Sequence, residues 1–181
     1  MKFKKMINCC KNNNLLVLGH SKEINESSPV YISDGAAIFV MPHFCQNLTA
    51  EDICNMNDIK ESKQDKMKFK ELKLDDYMTQ DSYISESLAK PTDIKIMIDD
   101  VLLQPFITEL GMIYIKDMYI DICGISRDLL TFTERENKGI AVKKGMSLEG
   151  FIYRMNVDRE KTLEEIKNLG TLTEIFLQNL K

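Results

Sequence analysis

The chain has 181 residues, 44% of them hydrophobic and 29% charged, which fits one domain, is too short for two ordinary ones, and excludes collagenous, disordered and disulfide-scaffold classes. Lys and Arg number 24 against 28 Asp and Glu, for a net charge of -4, so the surface as a whole is not that of a nucleic-acid binder. Five cysteines, two of them adjacent, follow no secretory pattern and read as cytosolic thiols, and no stretch approaches the ~18 apolar residues of a membrane span.

Lys2 to Asn12 carries Phe3, Met6, Ile7 and Cys10 at the spacing of a short amphipathic helix, ended by Asn12, Asn13 and Asn14. Leu15 to His20 and Val30 to Met41 read as strands around a Ser-Ser-Pro loop and predict an early antiparallel pair. Within the second of these, Asp34-Gly35 stands between apolar stretches as a turn or a bulge. Thr49 and Asp52 form a capping-box pattern, with Leu48 and Ile53 placed as a staple, and predict a helix from about 50 to 57. Lys66 to Leu74 is expected to be a strand with one solvated face.

Asp75 to Pro91 lacks a clean period, is rich in Asp, Ser and Thr, and reads as a long loop with room for a helical turn. Ile94 to Leu103 has the shape of a hairpin turning at Asp99-Asp100, and Gly111 to Ile122 alternates as a further strand. Leu129 to Glu134 and Ile140 to Lys143 flank Glu136-Asn137-Lys138-Gly139, a turn whose glycine can take positive φ; Leu148 to Met155 can extend that hairpin. Asp158 to Lys181 is the longest helical pattern, interrupted by Gly170. The fold expected over 1–181 is a single α+β domain: a mainly antiparallel twisted sheet of six to eight strands, with N-terminal, short internal and C-terminal helices.

Catalytic patterns are thinly supplied. Gly145 to Gly150 has phosphate-loop glycine spacing, but Phe151 and Ile152 stand where Lys and Ser or Thr belong. His20 and His43 are the two histidines, and neither begins a zinc-helix motif. His43, Cys45 and Cys54, with Cys9 or Cys10, could be drawn as a zinc set, although ordinary buried cysteines explain the same residues. Asp93-Ile94-Lys95 with Asp76 fits a metal-dependent nuclease, yet acid-x-Lys recurs at Glu61, Glu71 and Glu165 by chance. No cofactor is expected, and no catalytic or metal residue is assigned.

Charge is distributed unevenly. Residues 1 to 22 hold five lysines before the first acid, Glu23, whereas 71 to 100 carry eight acids against Lys73, Lys90 and Lys95. One reading has Asp75, Asp76, Tyr77, Asp81, Tyr83 and Glu86 dock on a basic protein surface. The other is a solvated loop. A separate reading has Lys2, Lys4, Lys5, Lys11, Lys143, Lys144, Arg154 and Arg159 contact nucleic-acid phosphates.

Only Arg127, Arg135, Arg154 and Arg159 are arginines, and Lys, Asn, Ile and Met abound, the residue usage of AT-rich coding DNA. Tyr31 to Phe39, with its Asp34-Gly35, locally resembles the strand turn of sliding-clamp domains. Leu15 to His20, Tyr31 to Gly35, Gln104 to Thr108 and Ala141 to Met146, in that order, resemble small phage and prophage proteins of low-GC bacteria, a group that includes anti-CRISPR inhibitors. That resemblance implies a cytoplasmic, non-catalytic phage protein that binds and inhibits a host nucleic-acid-processing or defence enzyme, such as a CRISPR effector nuclease. The clamp-like turn implies a replication accessory or DNA-binding protein instead.

Overall fold

Helix α1, Phe3–Asn13, buries Met6, Ile7, Cys9 and Cys10 along the stripe its spacing sets, and Asn14 ends it in the left-handed conformation at φ 51. Strand β1, Leu15–Ser21, follows directly and pairs antiparallel with β2, Val30–Ser33, as expected. The predicted strand Val30 to Met41 is two strands. Asp34-Gly35-Ala36 turns the chain between β2 and β3, Ala37–Val40, with Gly35 at φ 89 and the Asp34 carboxylate accepting from the amides of Ala36 and Ala37. Helix α2, Ala50–Met56, carries the predicted capping box on Thr49 and Asp52.

A single turn, α3, Glu61–Gln64, precedes β4, Lys68–Leu74. Strand β4 was expected to have one solvated face, yet every residue before Leu74 is exposed, and among the described residues β4 forms the sheet edge. The stretch 75–91 is more ordered than a loop: α4, Asp76–Thr79, β5, Glu86–Leu88, and β6, Lys90–Pro91, lie within it. The predicted hairpin forms from β7, Ile96–Ile98, and β8, Val101–Thr108, with Asp99 and Asp100 at φ 49 and 62, the two positive angles of a type I′ turn.

Gly111 to Ile122 is not one strand. Strand β9, Gly111–Lys116, gives way to helix α5, Asp117–Ile122, because Tyr119, Ile120 and Ile122 satisfy a helical burial pattern as readily as an alternating one. Strands β10, Leu130–Arg135, β11, Gly139–Lys144, and β12, Ser147–Tyr153, form the predicted hairpin and its extension. Its turn differs from expectation: positive φ falls on Glu136 and Asn137, not on Gly139. Gly139 is required for another reason, since a Cβ there would collide with the Ile152 carbonyl.

The computed structural model describes residues 1–22, 28–124 and 126–157. The predicted C-terminal helix, 158–181, lies outside them, as does Arg159. Among the described residues the strands form two sheets where one was expected. An eight-stranded sheet runs β4-β1-β2-β3-β12-β11-β10-β5, antiparallel except for β1 with β4, and a smaller one gathers β6, β7 and β9 around β8. The class is α+β, as read from the sequence, with several short internal helices instead of one. No helix among the described residues is long and apolar enough to cross a membrane.

The large sheet sets its two faces by residue parity. Leu16, Ile32, Phe39, Ile140 and Ile152 meet α1, α2, α5 and the small sheet in the main core. Tyr31, Ile38, Ala141 and Phe151 face the other way, onto Leu74, Tyr77 and Met78. In the small sheet, β6 and β7 share one edge of β8 and part opposite Gln104 and Pro105. Proline has no N–H to offer there, and the Thr92 amide and the Gln104 side-chain amide supply the local hydrogen bonds through the Pro105 and Thr92 carbonyls.

Candidate functional site

Among the described residues, the second face of the large sheet carries the most extensive side-chain hydrogen-bond network. Strands β10, β11 and β5 place Arg135, Thr133, Lys143 and Glu86 on that face, because Glu86 stands opposite Arg135, and Thr131 opposite Lys143, in the register. Arg135 is fully buried. Its Nε and Nη2 donate to Glu86 Oε2 at 3.0 and 2.7 Å, Nη1 donates to the carbonyls of Tyr77 and Gln80 at 3.0 and 2.8 Å, and Nη2 reaches the Asp81 carbonyl at 3.3 Å. Lys143 Nζ donates to Glu86 Oε1 at 2.5 Å. A planar guanidinium can hold one carboxylate and three carbonyls together; an ammonium cannot span them.

This arginine fixes the segment that follows β4. Tyr77 packs edge-on against Phe151 at 5.4 Å, the Tyr31 hydroxyl donates to the Thr79 carbonyl at 3.0 Å, and Asp81 Oδ1 accepts the Leu148 amide at 2.7 Å. The Tyr83 hydroxyl donates to Glu136, and the Arg135 guanidinium lies 5.7 Å from the centre of its ring. Held this way, the segment presents Ile84 to solvent with 99% of its surface exposed. Asp76, Asp81, Ser82, Ser85 and Leu88 are exposed around it.

The six residues read as a docking surface are therefore brought together, in different capacities. Tyr77 is buried, Glu86 is neutralised by Arg135 and Lys143, and Asp75 pairs with Lys22 at 2.8 Å on the surface. Asp76 and Asp81 are exposed and form no ion pair among the described residues. Ile84 was missed, and so was Arg135. Arginine retained inside a strand of a lysine-dominated chain was the available signal for the latter, since a lysine could not have replaced its fork.

The set read as phosphate-binding is not assembled as one site. Lys2, just before α1, and Lys4 and Lys5 on it are exposed and Lys11 is half-buried, whereas Lys143 is buried on Glu86 and unavailable to a phosphate. Lys144 is exposed, and Arg154 donates to Asn137 Oδ1 at 2.6 Å. The nuclease and zinc sets also disperse. Asp93 is exposed between β6 and β7, Lys95 pairs with Asp117 at 2.8 Å, and Asp76 lies on α4. Cys45 and Cys54 are buried while His43 is exposed, and no trio of His, Cys, Asp or Glu among the described residues could hold a metal ion. Burial raises the Cys9 thiol to about 11 and raises Cys45 and Cys54 as well, so these sulfurs stay protonated.

No family model, curated protein or solved structure matches this chain.

Two carboxylates tie this architecture to pH. Burial works against ionised Glu86, but hydrogen bonds from Lys143 and Arg135 outweigh it and hold the group below 4.5. Asp117 follows the same balance: burial opposes its charge, Lys95 and Arg127 at 2.8 Å each overcome it, and it lies below 3.8. A carboxyl depressed by folding adds stability that is complete above its unfolded value and is lost as pH falls through the folded one. The thermal midpoint should therefore fall as the medium is acidified below the ordinary carboxylate range, and Glu86→Gln should make that fall shallower. Parallel acid profiles for the two proteins would contradict the assignment.

Proposed function

We propose that this chain is a non-catalytic binding protein that docks through residues 76–88 onto a basic macromolecular surface, and that docking inhibits a host nucleic-acid-processing or defence enzyme. The observation that carries this reading is Ile84: an aliphatic side chain with 99% of its surface in water, on a backbone clamped by a fully buried arginine. Single exposed aliphatics are ordinary on protein surfaces; what sets this one apart is that it stands on a clamped segment that also exposes Leu88. A partner gains an apolar anchor whose ordering entropy was lost during folding, which is how preorganised loops reach high affinity. Asp76 and Asp81 are exposed on the same segment and would steer it toward positive surface.

An RNA-guided nuclease fits that description, because its nucleic-acid channel is positively charged, and the phage-like sequence fragments support it as the specific target. The test is DNA cleavage by RNA-guided nucleases of low-GC bacteria with the protein added. Wild type should suppress cleavage, and Ile84→Asp should need at least about tenfold more protein for the same effect, the scale on which hot-spot truncations act, with an unchanged thermal midpoint. Equal inhibition by both proteins would reject the loop. Undiminished cleavage with wild type across the nucleases would reject the target.

A further inference from the structure

We infer that the edge of the large sheet formed by α3 and β4 is a binding surface for single-stranded nucleic acid, a role separate from the docking loop. The pairing of charges in the fold is uneven. Lys22, Lys95, Arg127, Arg135, Lys138 and Lys143 each form an ion pair within the protein. Lys60, Lys63, Lys66, Lys68, Lys70 and Lys73 form none among the described residues, and only Glu61, Asp65 and Glu71 lie among them in the chain. The fold joins this run to the end of α1: Lys63 Nζ donates to Asn14 Oδ1 at 2.7 Å and the Lys68 amide donates to the Asn14 carbonyl at 2.8 Å. Lys11, in the last turn of α1, extends the same positive edge.

An edge strand rich in lysine is also how proteins block sheet-to-sheet aggregation. Two features go beyond that need. The lysines of α3 and its flanks are not on the strand edge at all. And Phe69, opposite Leu16 in the register and so on the α1 face of β4 while Lys68 and Lys70 project from the other face, is 42% exposed, an aromatic ring that a purely protective edge would omit. Lysines on both faces of a sheet edge, with an exposed aromatic on one of them, are the elements by which unpaired nucleic acid wrapped over that edge is held: phosphates on the ammonium groups, a base stacked on the ring. The overall charge of -4 does not oppose this, since binding follows local potential.

Fluorescence anisotropy of a labelled oligothymidylate tests the surface, with a duplex of equal length and heparin as comparison ligands. Wild type should bind the oligothymidylate more tightly than the duplex, with affinity falling as salt rises by a slope of about -0.7 per phosphate neutralised. Lys68→Glu with Lys70→Glu should weaken binding at least about tenfold and flatten that slope. Phe69→Ala should weaken it about fivefold or more while leaving heparin binding unchanged, and Lys144→Glu should change nothing. Circular dichroism and thermal midpoints establish that the variants are folded. No binding at low salt, a preference for duplex, an inert Phe69→Ala, or an equal loss from Lys144→Glu would each overturn the inference.

Discussion

Replacing Arg135 with methionine is expected to cost about 3–5 kcal/mol, a fall in thermal midpoint of about 10 °C for a chain of this size. The cost does not come from the lost ion pair alone. Glu86 would keep Lys143, but the carbonyls of Tyr77, Gln80 and Asp81 would lose the donor that reaches all three. A buried acceptor left without a donor carries its full desolvation penalty. The methionine fills much of the vacated volume, so the measurement isolates polar loss from cavity formation. Hydrogen exchange should show faster opening at 80–86 than in β11 or β12, because the arginine ties that segment to the sheet. A fall in stability under about 1 kcal/mol, on the scale of an ordinary surface substitution, would show that the clamp is not what holds the loop.

Asp34→Ala should destabilise by about 3 kcal/mol. Its carboxylate accepts four hydrogen bonds: Ala36 N at 3.0 Å and Ala37 N at 3.1 Å on Oδ1, and Asn13 Nδ2 at 2.9 Å and the Tyr119 hydroxyl at 2.6 Å on Oδ2. Together these tie the β2–β3 turn to the end of α1 and to α5. The buried Tyr119 hydroxyl is pushed far above its ordinary pKa by burial and by Asp34, so it stays a donor. Asp34→Asn should recover part of the loss, since its one carbonyl oxygen can still cap Ala36 and Ala37. Tyr119→Phe should cost less than Asp34→Ala, because one bond goes instead of four. Denaturant titration of the three variants checks the order, and an Asp34→Ala midpoint equal to wild type would refute the role given to the carboxylate.

Elements whose causes are local were readable in advance. The α2 capping box needs only Thr49 and Asp52, three residues apart, and formed as expected. The Asp99-Asp100 turn needs only two residues that tolerate positive φ. Misreadings arose where local patterns are degenerate. Residues 119–122 are apolar enough to suit either period and became α5, while the exposure of β4 depended on what packs across it. The stretch 75–91 reads as one unit in the sequence, but which of its members face solvent does not. Tyr77 and Ile84 are both apolar-bodied residues in a polar run, and one is buried against Phe151 while the other stands in water.

By itself the sequence determined the α+β class, the α2 capping box, the 96–108 and 130–144 hairpins and the lysine-rich and acid-rich stretches, because each depends on neighbours a few bonds apart. Only the tertiary structure decided which charges remain free. Glu86 meets Arg135 and Lys143 across separations of 49 and 57 residues, brought into reach by sheet register, while the lysines of α3 and β4 meet no such partner among the described residues. An ion pair forms where two side chains come within reach in space, and spacing along the chain carries no record of that distance.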